Sequence, residues 1–327
     1  MQSPEQLLRH SQVYAQEQPW RTRWHVLSTL LVLVALATAI VQMPWWPARL
    51  AASIVFGLTL VRAFIVYHDV QHGTILRGAR RWRWFTNVFG VLMLSPPSIW
   101  RRSHDHHHRN VGRILGASIG SFPVMTCAAW ARAGTGTRLA YVFQRHPLTI
   151  ATGYLTVFLY GMCVRSLRVD PKRHADSGLA LAVHAALVTL LAVFAPDLLL
   201  FLVLVPMTVA CALGAYLFYA QHNYPGVQLS TGESWSFVGS ALESSSYIMM
   251  GPLGHWFTGN IGYHHVHHVN PKIPFYRLPE AMAAIPGLQK PGTTSLWPRA
   301  IAQCLSLRLW DEERRCLVRA PGIWARA

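Results

Sequence analysis

Acidic side chains are scarce in this chain of 327 residues: 13 Asp and Glu stand against 29 Lys and Arg. Helical proteins that hold two metals with carboxylates announce themselves by Glu-x-x-His pairs. No glutamate from Glu5 to Glu313 is followed by histidine at that spacing, so a carboxylate-bridged metal pair is excluded. Cysteine is scarce too. The five (Cys127, Cys163, Cys211, Cys304, Cys316) are odd in number, far apart and form no Cys-x-x-Cys, and they read as reduced packing residues. A cleavable signal peptide is missing, because the first apolar run follows a long polar segment and has no small-residue cleavage pattern behind it. Also missing is a single solvated basic face. The formal charge of +16 is scattered between apolar stretches, which excludes nucleic acid as a partner and fits cytoplasmic loops facing anionic lipid.

What the chain has in abundance is apolar sequence, 52% of its residues, in runs long enough to cross a bilayer. The expectation is one all-α integral membrane domain with four transmembrane helices arranged as two hairpins. Residues 1–24 open with a capping-box pattern, Ser3-Pro4-Glu5-Gln6, and end in Trp20, Arg21, Arg23 and Trp24, which predicts an interfacial N-terminal helix. Apolar runs at 25–43 and 48–67 form the first hairpin around Pro44-Trp45-Trp46-Pro47. A cytosolic region follows over 68–178. It includes the short apolar stretch Phe85 to Leu94, placed at the interface, and a second ambiguous one, 147–167. Runs at 179–195 and 198–220 make the second hairpin, broken at Pro196-Asp197. Residues 221–327 are left as a cytosolic cap, whose tail is expected to lie on the membrane surface as a short amphipathic helix carrying Arg308, Arg314, Arg315 and Arg319.

Histidine gives the pattern its chemistry. Of 17 histidines, eleven fall in three clusters and at His222. The clusters are His68-Asp69-Val70-Gln71-His72, His104-Asp105-His106-His107-His108 and His264-His265-Val266-His267-His268. In the last two, three imidazoles stand at i, i+3 and i+4, on one face of a helical turn. His68 and His72 stand at i and i+4 where the second run leaves the membrane. Neutral imidazole is a ligand for iron, zinc, copper and nickel, and nine such groups exceed the roughly four to six positions of one ion. Two metals are therefore expected, held by His68, His72, His104, His107, His108, His222, His264, His267 and His268, with Asn260 as an additional candidate four residues before His264. His106 and His265 point off the ligand faces, to solvent or behind the ligands. Asp69 and Asp105 are placed behind the ligands as acceptors for their other ring N–H. His184, inside a span, is expected to be a packed neutral side chain; His10, His25, His146, His174 and His255 are read as ordinary.

If all clusters share one compartment, an even number of crossings separates His108 from His222. The hairpin 179–220 then spans and 147–167 is re-entrant or surface-lying. The basic loops fall on the histidine side, while the turns at 44–47 and 196–197 carry no Lys or Arg, as the positive-inside rule expects of a cytoplasmic site.

With these residues in hand, the chain resembles the membrane fatty acid desaturase family from about Val61 to Leu278. The three histidine boxes match in order and placement. Phe218-Tyr219-Ala220-Gln221-His222-Asn223 and Trp256-Phe257-Thr258-Gly259-Asn260-Ile261-Gly262-Tyr263 look like the stretches before the third box in bacterial and cyanobacterial acyl-lipid Δ12-type desaturases. Gly232-Glu233-Ser234-Trp235 and Pro271-Lys272-Ile273-Pro274-Phe275-Tyr276 extend the likeness. The sequence departs from that pattern at His106 and over Ser246 to Pro252. The resemblance implies four spans under a cytosolic cap and two non-haem irons on the nine histidines. It also implies O2 and two electrons used to set a cis double bond in an acyl lipid or acyl thioester, in a bacterial inner membrane. No His-Pro-Gly-Gly haem motif is present, so the electron donor is expected to be a separate protein of ferredoxin, rubredoxin or cytochrome b5 type. A hydroxylase or ketolase acting on an alkane, carotenoid or other lipid is the alternative on the same scaffold. A metal transporter or sensor is the distant one, since the clusters sit at span ends and not at the bilayer midplane.

Overall fold

The computed structural model describes residues 3–114, 120–230, 232 and 235–322. Among them, four helices are long and apolar enough to cross a membrane: Pro19–Gln42, Trp46–His72, Ala175–Phe194 and Pro196–Ala220. The two hairpins of an all-α membrane protein are thus present. Pro19, Pro47 and Pro196 stand at the first or second position of the first, second and fourth spans and set where those helices begin. The second helix runs on past its apolar stretch to His72, so that the first histidine box is its last turn.

The second and fourth spans form the inner pair. Gly57 makes their contact possible, because a Cβ there would lie 2.8 Å from the Pro206 carbonyl oxygen and 2.9 Å from Val209 Cβ. The first and third spans lie outside them. Their outward residues, Leu27, Leu31, Val34, Leu190, Val193 and Phe194, are exposed in the protein alone and face lipid. At the end away from the histidines, Arg49 meets Asp197 at 3.5 Å and ties the two hairpin turns together.

Between the hairpins, Arg80–Leu92 forms a helix whose Trp82, Trp84, Phe85, Val88 and Leu92 are exposed, a face suited to the membrane interface. It turns at Ser95-Pro96 into the helix Pro97–Asn110, which carries the second box. Residues 147–169 are helical, in pieces: Pro147–Ala151, a π-helical stretch Tyr154–Arg165 and the turn Ser166–Val169. The segment lies across the histidine-side halves of the last two spans. Gly153 abuts Cys211 and Ala215 of the fourth, while Ser166 Oγ is 2.9 Å from Ser177 Oγ of the third. Inside the third span, His184 Nε2 is 2.5 Å from the Tyr154 hydroxyl.

The N-terminal helix Pro4–Ser11 has the reciprocal Ser3/Gln6 capping box. It docks on the cap: Leu7 and Ala15 are buried, Asn270 donates to Ser11 Oγ at 2.9 Å, and Arg277 donates to the Val13 and Gln16 carbonyls. The tail corrects the expectation of a single surface helix. Pro298–Ser306 is helical, but Leu307–Asp311 and Cys316–Arg319 pair as an antiparallel hairpin, and Met125–Thr126 adds a parallel strand. Leu309, Trp310 and Leu317 are buried there. Partner strands from a distant part of the chain outweighed a helical spacing of arginines. A second small pair joins Ser246–Met249 to Gly292–Ser295 in parallel. Part of the Gly232-Glu233-Ser234-Trp235 likeness, Glu233 and Ser234, lies outside the described residues.

The close approach at Gly57 generates a test of this packing. Gly57→Ala forces the second and fourth spans apart, and thermal unfolding in detergent should show a loss of about 1–3 kcal/mol; unchanged stability contradicts the contact.

Candidate metal centre

Each box is held by a local device. The first ends the second span, where Gly73 takes a left-handed conformation at φ 64° and its N–H closes the helix on the Asp69 and Val70 carbonyls. The second box rides on Pro97–Asn110, whose start is pinned from the third span's side: Asp176 accepts from the Ser98 N–H at 2.9 Å and from its hydroxyl at 2.5 Å, and His174 Nδ1 lies 2.8 Å from the same hydroxyl. The third is the short helix His264–Val269, closed by Asn270-Pro271. His222 follows the end of the fourth span.

These four points bring their imidazoles into two groups. His68, His72, His104 and His267 form one; His107, His222, His264 and His268 form the other; within each, the ligand nitrogens lie within 4.8 Å of one another. In the first, His104 Nε2 is 3.1 Å from that of His68 and 2.9 Å from that of His72. In the second, His222 and His264 meet at 2.9 Å, His264 and His268 at 3.0 Å, and His107 and His268 at 3.2 Å. His108 sits between the groups. Its Nε2 is 3.1 Å from both His104 and His267, while its ring stacks on His268 at 4.4 Å.

Hydrogen bonds at the far side of two rings decide what these contacts are. His68 Nδ1 is 2.9 Å from Asp69 Oδ1, and His222 Nδ1 is 2.8 Å from the Ser244 carbonyl oxygen. Both partners accept, so both Nδ1 atoms donate, and the two Nε2 atoms, one in each group, present lone pairs that can bind a cation. Asp69 is itself fixed, its second oxygen accepting the Phe275 N–H at 2.7 Å. Burial, the largest cause, holds His104, His107, His108, His264, His267 and His268 well below the usual histidine pKa, and their mutual repulsion adds to it. His222 is lowered to about 4, again by burial. All-nitrogen donor sets of this kind fit a borderline transition metal in each group; Asp69 bonds the back of the His68 ring, and among the described residues no carboxylate oxygen belongs to either group, which does not fit magnesium or calcium.

The remaining candidates fall elsewhere. His265, fully buried, donates from Nε2 to the Leu288 carbonyl at 3.0 Å and anchors the cap. His106 is half-buried and joins neither group. Asp105 corrects an expectation: it is exposed on the outer face of its helix and holds no histidine, because i+1 from His104 points away from the ligand face. Asn260, in a left-handed conformation at φ 55°, donates its amide to the Phe275 carbonyl at 3.2 Å. Sequence reasoning missed His174 and Ser244, whose roles depend on partners 76 and 22 residues away. Only proximity in space could have revealed them.

Comparison with known proteins decides the family. The sequence model described as Fatty acid desaturase matches residues 44–299, most of the chain. The chain belongs to the fatty acid desaturase family. It is 31% identical over 271 residues to a fatty acid desaturase of Bacillus subtilis (strain 168), covering 82% of this chain and 76% of that one. A probable fatty acid desaturase of Sorghum bicolor is 27% identical over 287 residues, 81% of this chain and 70% of the relative. An omega-3 fatty acid desaturase, chloroplastic, of Brassica napus is 26% identical over 290 residues, 81% and 68%. The desaturase is accordingly an oxidoreductase of the membrane.

The geometry yields two expectations for it. Asp69→Asn keeps the shape but leaves one acceptor oxygen for two donors, the His68 ring and the Phe275 N–H, and metal affinity, read by competition with a chelator, should weaken by about 10- to 100-fold; unchanged affinity contradicts the bond. The lowered histidine pKa values also fix a pH dependence. In the unfolded chain these groups take up protons near the ordinary value of about 6.5, in the folded chain only far below it, so the unfolded state binds more protons in acid. Unfolding temperature of metal-free protein should fall from pH 7 to pH 5, and a flat profile contradicts their burial.

Proposed function

We propose that this desaturase uses two iron ions, O2 and electrons from a separate carrier to place a cis double bond in an acyl chain carried as an acyl lipid or acyl thioester. In balance, a CH2–CH2 unit gives up two hydrogens, O2 takes these with two electrons and two protons, and two waters leave. The observation that supports this reading most is the pair of four-histidine groups at the ends of the two inner spans, with His108 between them. Side chains alone cannot break an unactivated C–H bond; bound iron supplies the redox capacity for O2 activation. In this reading His68, His72, His104 and His267 would hold one ion, with His108 Nε2 beside them, and His107, His222, His264 and His268 would hold the other. Asn260, whose amide donates to the Phe275 carbonyl, would be a further ligand only directly through its oxygen or through water.

The chain's own residues do the positioning. Asp69 and Ser244 fix two ring orientations, and Asp176 with His174 holds the second-box helix in register. Burial of the rings excludes water, which protects the reaction from side chemistry. Beside His107 and His222 lies a cavity of about 80 Å³ with Phe122, Val124, Phe218 and Leu229 on one part of its wall and Asn110, Arg113, Arg145 and Asn223 on another; its apolar part suits a short stretch of acyl chain.

The site is assigned to the cytoplasmic side of a bacterial inner membrane. Arg77, Arg80, Arg81 and Arg83 are exposed on the histidine side, while the turn at 43–45 carries no basic residue. Arg101, Arg102 and Arg109 are exposed on the back of the second-box helix, a cationic face suited to an acidic carrier such as a ferredoxin, rubredoxin or cytochrome b5.

The test is lipid profiling of a host that expresses the desaturase with a reductase chain. A new alkene from the wild type, absent with His107→Ala at matched membrane levels, is the expected result. A hydroxylated product without an alkene contradicts desaturation.

A further inference from the structure

Arg62 lies in the second span, six residues before the first box, and is 2% exposed. A guanidinium inside a membrane protein is costly unless an anion or a water-filled space compensates it. Its donors have neutral partners: Nε donates to Thr29 Oγ1 at 3.0 Å, and the two terminal nitrogens to the Trp256 carbonyl at 2.5 Å and His25 Nδ1 at 2.9 Å. The ring of Trp256 covers it at 4.4 Å and that of Phe275 at 5.7 Å. These contacts satisfy N–H groups and leave the charge uncancelled, for no carboxylate pairs with Arg62 among the described residues.

The side chain opens on a cavity of about 450 Å³ where the first two spans meet the cap. No Asp or Glu lines it. His25, which accepts from Arg62 through Nδ1, keeps its own N–H on Nε2. On the cap side stand Tyr247, His255, Asn260 and Tyr263. His255 Nε2 lies 3.3 Å from the Tyr247 hydroxyl; with that O–H donating, His255 keeps its proton on Nδ1, which is buried without a hydrogen-bond partner and calls for an acceptor. Cavity residues Tyr247, Met250 and Pro252 belong to the stretch Ser246 to Pro252, where the sequence departs from the family pattern. Leu253, next to the cavity, is 68% exposed, as expected of a mouth at the membrane surface.

The geometry points to a binding site for a lipid oxyanion, a carboxylate or phosphate, between Arg62 and His255. It is separate from the histidine groups and neighbours them through Phe275, whose ring covers Arg62 and whose N–H bonds Asp69. The anion supplies the counter-charge Arg62 lacks and the acceptor His255 lacks, and its hydrocarbon extends into the bilayer.

Native mass spectrometry of the full chain released from detergent tests this without reference to turnover, so it stands or falls apart from the desaturation reading. Palmitate, phosphatidylglycerol and diacylglycerol of matched chain length are the probes. One palmitate or one phosphatidylglycerol should be retained per chain, at least about tenfold more tightly than diacylglycerol, and whichever is retained names the source of the oxyanion. R62Q should lose that preference, but it also removes the clamp on three neighbours. H255E keeps the clamp and supplies an internal carboxylate, so it should fold and bind the anion at least about tenfold more weakly. Equal retention of diacylglycerol by the wild type overturns the proposal. Undiminished anion binding in H255E overturns it whatever R62Q does.

Discussion

The governing constraint in this protein is the close packing of imidazoles a few ångströms apart. Nine of them, from four places in the chain, are brought together buried or half-buried. Burial and their neighbours' charges favour the neutral form, the form that binds a transition metal. The membrane spans, the cap and the small strand pairs hold these rings in place.

Seen from that constraint, the architecture is economical. The two inner spans end in His72 and just before His222, and Gly57 lets their backbones come close enough for both ends to face one centre. The helix of the second box is pinned at its start by Asp176 and His174 and delivers its rings from its last two turns. The third box reaches the same centre from the cap, which Asn270 and Arg277 join to the N-terminal segment and which Arg21 and Thr22 of the first span hold through Glu280 and Tyr276. Hydrogen bonds behind the ligands, from Asp69 and Ser244, turn flexible rings into fixed ones.

Much of this was legible in the sequence because it is local. Apolar runs gave the spans, and spacing within each box gave the ligand faces. The likeness to the desaturase family agreed with both. What was not legible depends on long-range partners. The hairpin of the tail has Met125 and Thr126 as a neighbouring strand, so the helix expected there is confined to Pro298–Ser306 and the arginine-bearing part beyond it pairs as strands. His174 looked ordinary until Ser98 came beside it, and Asp105 looked useful until its helix turned it outward. Arg62 reads as one more basic residue in a basic chain, and its isolation from any carboxylate among the described residues is a property of the fold alone.

The central claim is that two cations sit at two histidine groups. Anomalous diffraction at the iron absorption edge, on protein purified without oxygen and without added metal, tests it most directly. The account expects two peaks in each chain, one among His68, His72, His104 and His267 and one among His107, His222, His264 and His268. A single peak, or peaks away from these rings, contradicts it.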